Sequence, residues 1–166
     1  MSEAPALRDS TVQYVVVVTC VVLRYEKNGE LQVLILKRSN DESEGPGLWT
    51  IPGGKVIKKD WGEGTQNTNT HTVWVGMLER AIKREIKEET CIAVRRAYLL
   101  PGREKVFLRK DGTPTLVVTF VAPCTRRTKV KLGKESTAYA WIPLEHLKRY
   151  TFIGNVQDDI RFASKL

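Results

Sequence analysis

The run at residues 15–23 (VVVVTCVVL) constrains the fold more than any other stretch of the chain. It is β-branched almost throughout, and its apolar residues are consecutive where a half-exposed strand would alternate. That is the pattern of a strand covered on both faces, so the chain must lay structure on both sides of a sheet. The run is also too short, and too interrupted by Thr19, to cross a bilayer as a helix, which takes about 20 apolar residues.

The rest of the chain supplies elements for such layers. Residues 27–30 (KNGE) are a turn signal, and 32–37 (QVLILK) complete a hairpin. Residues 39–47 read as a loop, and 48–55 (LWTIPGGK) as a short strand entering a tight turn. Residues 58–72 are polar and irregular, a long loop of the kind that is usually functional. A helix is expected over about 76–90, a strand over 92–100, and a hairpin from 106–108 and 116–122 around 111–114. A strand at 138–142, a short helix at 143–150 and a terminal helix at 154–165 complete the reading. The implied class is α/β (α+β), a sandwich around a mixed sheet. A length of 166 residues suits one domain spanning 1–166, with an inserted loop at about 57–75.

Composition narrows the partners. With 42% hydrophobic and 28% charged residues the chain is ordinary for a globular protein, which excludes wholesale disorder and a disulfide-stapled miniprotein. The net charge of +8 favours anionic partners such as phosphates, nucleotides or nucleic acid. Cys20, Cys91 and Cys124 are odd in number and widely spaced, which points to a reducing, cytoplasmic setting. The polar N-terminal residues lack a signal-peptide apolar region, and no membrane segment is expected.

The chemistry lies in residues 77–92 (MLERAIKREIKEETCI). On a helical wheel Leu78, Ala81, Ile82 and Ile86 form one arc, and Glu79, Arg80, Lys83 and Lys87 the opposite, solvated one. Glu85, Glu88 and Glu89 each stand seven residues after Leu78, Ala81 and Ile82, so they continue the inward rows. A merely solvated charged helix would carry its carboxylates on the other side. Three ionised carboxylates on the apolar side repel one another and resist desolvation, and a multivalent cation relieves both. All-oxygen donors favour Mg²⁺ or Mn²⁺ over zinc. Arg84 can reach Glu88 at i+4.

The run Arg84-Glu85-Ile86-Lys87-Glu88-Glu89 resembles the R-E-U-x-E-E core of the Nudix box of MutT-like hydrolases, with Ile92 at its final aliphatic position. Residues 48–55 resemble the strand and Gly-Gly turn that open the box, and 140–147 (AWIPLEHL) a strand–helix passage near the end of such domains. Three departures stand out. Gly54 and Arg84 lie 30 positions apart, where the box has 14. Counted back from Arg84, the box's Glu position holds Gly76, and Glu63 is a possible substitute for it. Cys91 stands where the box has Gly, at a cost of about 1 kcal/mol if the backbone there is left-handed.

The resemblance implies hydrolysis of a nucleoside diphosphate linked to another moiety. Glu85, Glu88 and Glu89, with the carbonyl of Gly53, would hold Mg²⁺ or Mn²⁺, and Gly54 would let backbone approach metal and phosphate. Arg84 would orient the carboxylates, since its guanidinium stays protonated. Glu135, in a later loop, is a candidate general base with an equally good reading as an exposed turn residue. Lys37, Arg38 and Lys55 flank the Gly-Gly turn and are candidate phosphate contacts or ordinary surface charges. A nucleoside triphosphate is the first substrate expected. ADP-ribose, a nucleotide sugar or a dinucleotide, the 5′ end of RNA, and binding without catalysis are the alternatives, with RNA not favoured. The chain is expected to act as a monomer or homodimer.

The remaining features carry ordinary readings. Trp49 is expected in the core, and Trp61 and Trp74 bracket the insertion as loop anchors or as walls of a base pocket. His71 and His146 bring no metal-ligand spacing. The basic stretch 126–131 is read as an edge strand guarded by charge.

Overall fold

A computed structural model describes residues 12–62, 65–67, 70, 72–124 and 129–166. Glu63, His71 and residues 126–128 lie outside them, as do the side chains of 65–67. The main sheet is built on β1 (Val15–Tyr25) and β2 (Leu31–Arg38), an antiparallel hairpin. β3 (Trp49–Thr50) pairs with β2, and β4 (Gly53–Lys55) with β1. A 3₁₀ turn (Lys58–Trp61) leads into a separate two-stranded ladder of β5 (Thr65–Asn67) and β6 (Thr72–Trp74). Helix α1 (Met77–Thr90) follows, then the short β7 (Tyr98–Leu99), β8 (Lys105–Leu108), β9 (Pro114–Pro123) and β10 (Ser136–Pro143). A 3₁₀ helix (Leu144–Arg149) and helix α2 (Val156–Ala163) complete the chain.

The strand order is β10-β2-β1-β9-β7, with β8 also on β9. β1 runs parallel to β9 over nine registered pairs, from Val15↔Thr115 to Leu23↔Pro123, while the other strand pairings among the described residues are antiparallel. The sheet is therefore mixed. Side chains alternate across it. Val18, Cys20 and Val22 of β1 and Leu34 and Leu36 of β2 join Ala81, Ile82 and Ile86 of α1 in one core. Val21, Val33 and Ile35 join Leu147 and α2's Val156, Ile160 and Ala163 in the other. Both faces of β1 are filled, which is why its sequence is apolar without a break.

β1 changes partner halfway along. Its C-terminal end pairs with β2 from Leu23 to Tyr25, and its N-terminal half pairs with β4 from Val17 to Thr19. Cys20 N–H donates to the Pro52 carbonyl at the parting. The Gly53-Gly54 turn is held in the gap so formed, facing α1.

Three expectations change. Residues 92–97 are not a strand, and only Tyr98–Leu99 pairs, with β9. Ile92, Val94 and Ala97 instead pack into the α1-side core as a connection, so their apolar spacing reflects burial without a ladder. The insertion is not structureless, since it holds the 3₁₀ turn and the β5–β6 ladder. The described part of the basic stretch is not an edge strand. Lys131 N–H donates to the Thr90 carbonyl at the end of α1, and Val130 is buried in the core.

Candidate active site

Helix α1 brings the carboxylates to the glycine turn. Its apolar residues Ala81, Ile82 and Ile86 are fully buried, so Glu85, four residues after Ala81, and Glu89, three after Ile86, are carried against β4. Gly53 N–H donates to Glu89 Oε2 at 2.9 Å. A Cβ at position 54 would lie 2.4 Å from the Glu85 carboxyl carbon, and one at position 53 would lie 2.3 Å from the Val18 carbonyl oxygen. Only glycine fits at either place, for different reasons: Gly54 leaves room for a side chain, and Gly53 for the backbone of β1.

Arg84 gathers the remaining groups. Its Nη1 donates to Glu85 at 2.7 Å and to Glu88 at 3.0 Å, and its Nη2 donates to the Lys55 carbonyl at 3.0 Å. On its other side Nε and Nη2 donate to the two oxygens of Asp60, at 2.7 and 2.9 Å. Asp60 is 3% exposed and also accepts the Ile57 N–H, which starts the 3₁₀ turn. Hydrogen bonding from Arg84 holds the Asp60 carboxyl below its ordinary range.

Asp60 answers the question of the missing box Glu. Counting back from Arg84 lands on Gly76, which instead starts α1 in a left-handed conformation, φ 76°. Counting forward from Gly54 lands, six positions on, at Asp60. The extra residues follow Asp60, so the spacing from the glycine turn is kept and only the spacing to Arg84 is stretched. Arg80 was also missed. Expected on the solvated face, it donates to the carbonyls of Asp60 and Trp61 and ties the 3₁₀ turn to α1. Among its neighbours on that face, Lys83 does pair with Glu79 in solvent, at 2.8 Å.

Electrostatically the carboxylate end is strained. Burial pushes Glu89 up to about 8, with the charges of Glu85 and Glu135 adding to the rise. Burial also raises Glu85, and Glu88 and Glu135 add to it. Glu135 is brought to the same place by its loop, whose Gly133 N–H donates to the Glu89 carbonyl; Ser39 N–H in turn donates to the Glu135 carbonyl. Glu85, Glu88, Glu89, Gly133 and Glu135 together wall a small side pocket.

A cleft of about 930 Å³ runs from these groups past Gly53, Gly54 and Lys55 to the part of the sheet beside α2. Arg38 lines it, with its guanidinium on Glu42 and the Glu44 carbonyl. Lys37 is not among the lining residues, since β2 alternates and turns it to the opposite face. At the far end Lys105, Val106 and Phe107 of β8 and Arg109 just beyond it line the cleft. Sequence reading passed over these residues, because the packing around β8, not its own sequence, decides which of them meet the cleft. Trp49 packs edge-on against Tyr150, with ring centroids 5.0 Å apart. Trp61 and Trp74 lie against each other at 4.9 Å and line no part of the cleft, which is the anchoring arrangement. His146 lies 3.6 Å from Glu145, in the 3₁₀ helix that follows β10.

The donor set suits a hard divalent cation: four carboxylates and a backbone carbonyl, with no His or Cys among them. Among the described residues no three acidic, His or Cys side chains converge on one point, because Arg84 draws Glu85 and Glu88 and Gly53 holds Glu89. Cys20 and Cys91 are free thiols, the first buried and the second exposed. No helix among the described residues is long and apolar enough to cross a membrane.

No family model matches the chain, and no curated protein sequence does. Solved structures do. The Nudix domain of Shewanella oneidensis NrtR, complexed with ADP-ribose, superposes with a TM-score of 0.71 at 20% identity, covering 99% of this chain and 98% of that one. A Caenorhabditis elegans Ap4A hydrolase gives 0.64 at 21% identity over 91% and 96% of the two chains. A MutT protein from Methanosarcina mazei Go1 gives 0.64 at 23% identity over 96% and 98%. The chain has the Nudix fold.

Proposed function

We propose that the chain is a Nudix pyrophosphohydrolase that cleaves the pyrophosphate linkage of a nucleoside diphosphate derivative, with a nucleoside triphosphate as its first substrate class. The observation that carries this reading is the docking of Glu85 and Glu89 on the Gly53-Gly54 turn. It sets carboxylates beside a backbone that admits no side chain, at one end of a cleft of nucleotide size.

Glu85, Glu88 and Glu89, with the Gly53 carbonyl, are the groups that would hold Mg²⁺ or Mn²⁺, which when bound offsets the charge of the substrate phosphates. Arg84 sets the directions of Glu85 and Glu88 and stays cationic. Lys55 and Arg38 flank the path of the phosphates. Glu135 faces the same carboxylates from an independent loop and is the general base of this reading. Its carboxylate takes the proton of the attacking water, and the bridging P–O bond breaks toward the leaving phosphate.

The test is product release from a panel of nucleoside triphosphates, nucleotide sugars, ADP-ribose, dinucleoside polyphosphates and capped RNA, with Mg²⁺ and with EDTA. Similar structures bearing the names of an ADP-ribose complex and an Ap4A hydrolase put those compounds on the panel. Metal-dependent turnover that falls at least a hundredfold in Glu88→Gln is the expected result, about 3 kcal/mol of transition-state stabilisation. Nucleotide binding without turnover would make the chain a sensor, and undiminished turnover in the variant would remove Glu88 from the site.

A further inference from the structure

The segment between β4 and α1 turns large apolar side chains outward. Ile57, Trp61, Val73, Trp74 and Val75 are all exposed, from 37% for Trp61 and Val73 to 58% for Val75. The β5–β6 ladder pairs with itself and not with the main sheet. A two-stranded ribbon is marginal in water on its own, and a cluster of exposed valine and tryptophan on it marks a surface that something covers. Side chains alternate along β6, so Val73 and Trp74 point to opposite faces of the ribbon, and both faces are open. Trp61 rests on Trp74, yet more than a third of each ring system stays exposed. The charge around this cluster has one sign. Lys58 and Lys59 stand exposed in the 3₁₀ turn beside Trp61, and neither has an ion-pair partner among the described residues. The carboxylate next to them, Asp60, is buried and taken by Arg84. Residues 53–62 and 72–78 hold no other acidic side chain.

We propose that this segment docks the protein on an anionic lipid surface. Trp61, Val73, Trp74 and Val75 enter the boundary between headgroups and acyl chains, and Lys58 and Lys59 meet the lipid phosphates and carboxylates. The two open faces of the ribbon favour lipid. A partner of fixed shape covers one face, whereas a fluid layer closes around both. A single-stranded nucleic acid would use the indole rings and the lysines, but it would leave Val73 and Val75 in water. A second copy of the chain would bring four unpaired lysines together. Indole rings, apolar with one N–H donor, are the aromatic groups that collect at the membrane boundary. Ile57 belongs both to this surface and to the wall of the cleft, so a docked chain holds one edge of the cleft beside the lipid.

The experiment is flotation of the full chain with two kinds of vesicle, phosphatidylcholine alone and phosphatidylcholine with phosphatidylserine at about two to one. Binding at least about tenfold tighter to the mixed vesicles, and weaker as salt is raised, is the expected result. Lys58→Gln with Lys59→Gln should weaken it about thirtyfold, roughly fivefold for each charge withdrawn from an anionic surface. Val73→Ser with Val75→Ser should weaken it about tenfold. Both pairs alter exposed side chains and should melt with the parent; if the valine pair does not, the lysine pair decides alone. Brominated acyl chains should quench tryptophan emission in the parent. Trp74→Phe, which keeps a ring against Trp61, should lose part of that quenching. No binding to the mixed vesicles, equal binding to both kinds, or binding unmoved by the lysine pair would overturn the inference. So would retention of a single-stranded RNA oligonucleotide, lost in the lysine pair, by a chain that ignores vesicles. None of these readouts depends on turnover, so the pyrophosphatase reading stands or falls separately.

Discussion

The Asp60 carboxylate receives Arg84 side-on, one oxygen on Nε at 2.7 Å and the other on Nη2 at 2.9 Å, while Nη1 of the same guanidinium holds Glu85 and Glu88. A carboxylate outside the helix therefore decides where two carboxylates of the helix stand. Removing it leaves the Nε–Nη2 edge of Arg84, whose side chain is only 14% exposed, without its carboxylate partner. Asp60→Ala is expected to destabilise the chain by about 3 kcal/mol, the usual cost of breaking one side of a buried pair. A urea midpoint shift of that size with an unchanged slope would verify it. Asp60→Glu, which keeps the charge, should recover part of the loss.

The same pair sets an acid limit. The Asp60 pKa is lowered in the folded chain, chiefly by hydrogen bonds from Arg84. A carboxyl so lowered binds fewer protons folded than unfolded, so its stabilisation is complete above the ordinary Asp range and fades as pH falls through the lowered folded value. Thermal unfolding followed from neutral pH down to about pH 2 should show stability falling below about pH 4, with the fall smaller in Asp60→Asn. An equal fall in both chains would assign the acid sensitivity to other groups.

The two glycines of the turn should fail differently. At Gly54 an added methyl meets only the mobile end of Glu85, so Gly54→Ala should fold with little loss but displace that carboxylate and cut turnover at least tenfold. At Gly53 it meets the Val18 carbonyl and the Thr19 Cα, which belong to β1 and cannot turn aside. Gly53→Ala should lower stability by about 2 kcal/mol through overpacking. Melting curves and activity of the two variants, taken together, separate these outcomes.

Cys91 closes α1 at φ 58°, the only residue other than glycine with positive φ among those described. Its N–H donates to the Lys87 carbonyl, which completes the helix end. A left-handed Cβ costs about 1–2 kcal/mol, and part of that returns on Cys91→Gly once the greater freedom of the unfolded chain is counted. The variant should melt a few degrees higher, by about 0.5–1 kcal/mol.

Much of this architecture was readable because side-chain period and backbone geometry agree. The unbroken apolar run of β1 announced two covered faces, and the rows Leu78–Glu85 and Ile82–Glu89 announced carboxylates directed inward; the row Ala81–Glu88 misled, since the Glu88 side chain is 56% exposed and reaches the site from the solvent side. Asp60 was hidden by arithmetic: an insertion can be located only if the count runs from the end that keeps its spacing. Arg80 was hidden because a helical wheel sees only the core as a destination, and the insertion provides another. Lys105 and Phe107 line the cleft because of which part of the sheet α2 leaves open, and nothing local to β8 carries that information. The connection at residues 92–97 misled for the opposite reason, since burial alone produced a strand-like spacing.

The contact between Trp61 and Trp74 has a consequence for how such a chain can vary. The rings join the two ends of the segment between them, and Arg80 fixes the first end to α1. Whatever lies between is a closed excursion whose ends are already together. Lengthening a closed excursion costs only about 0.6 kcal/mol per doubling. This region is therefore a natural port for grafting foreign sequence, such as a tag or a binding peptide, next to the Asp60–Arg84 pair.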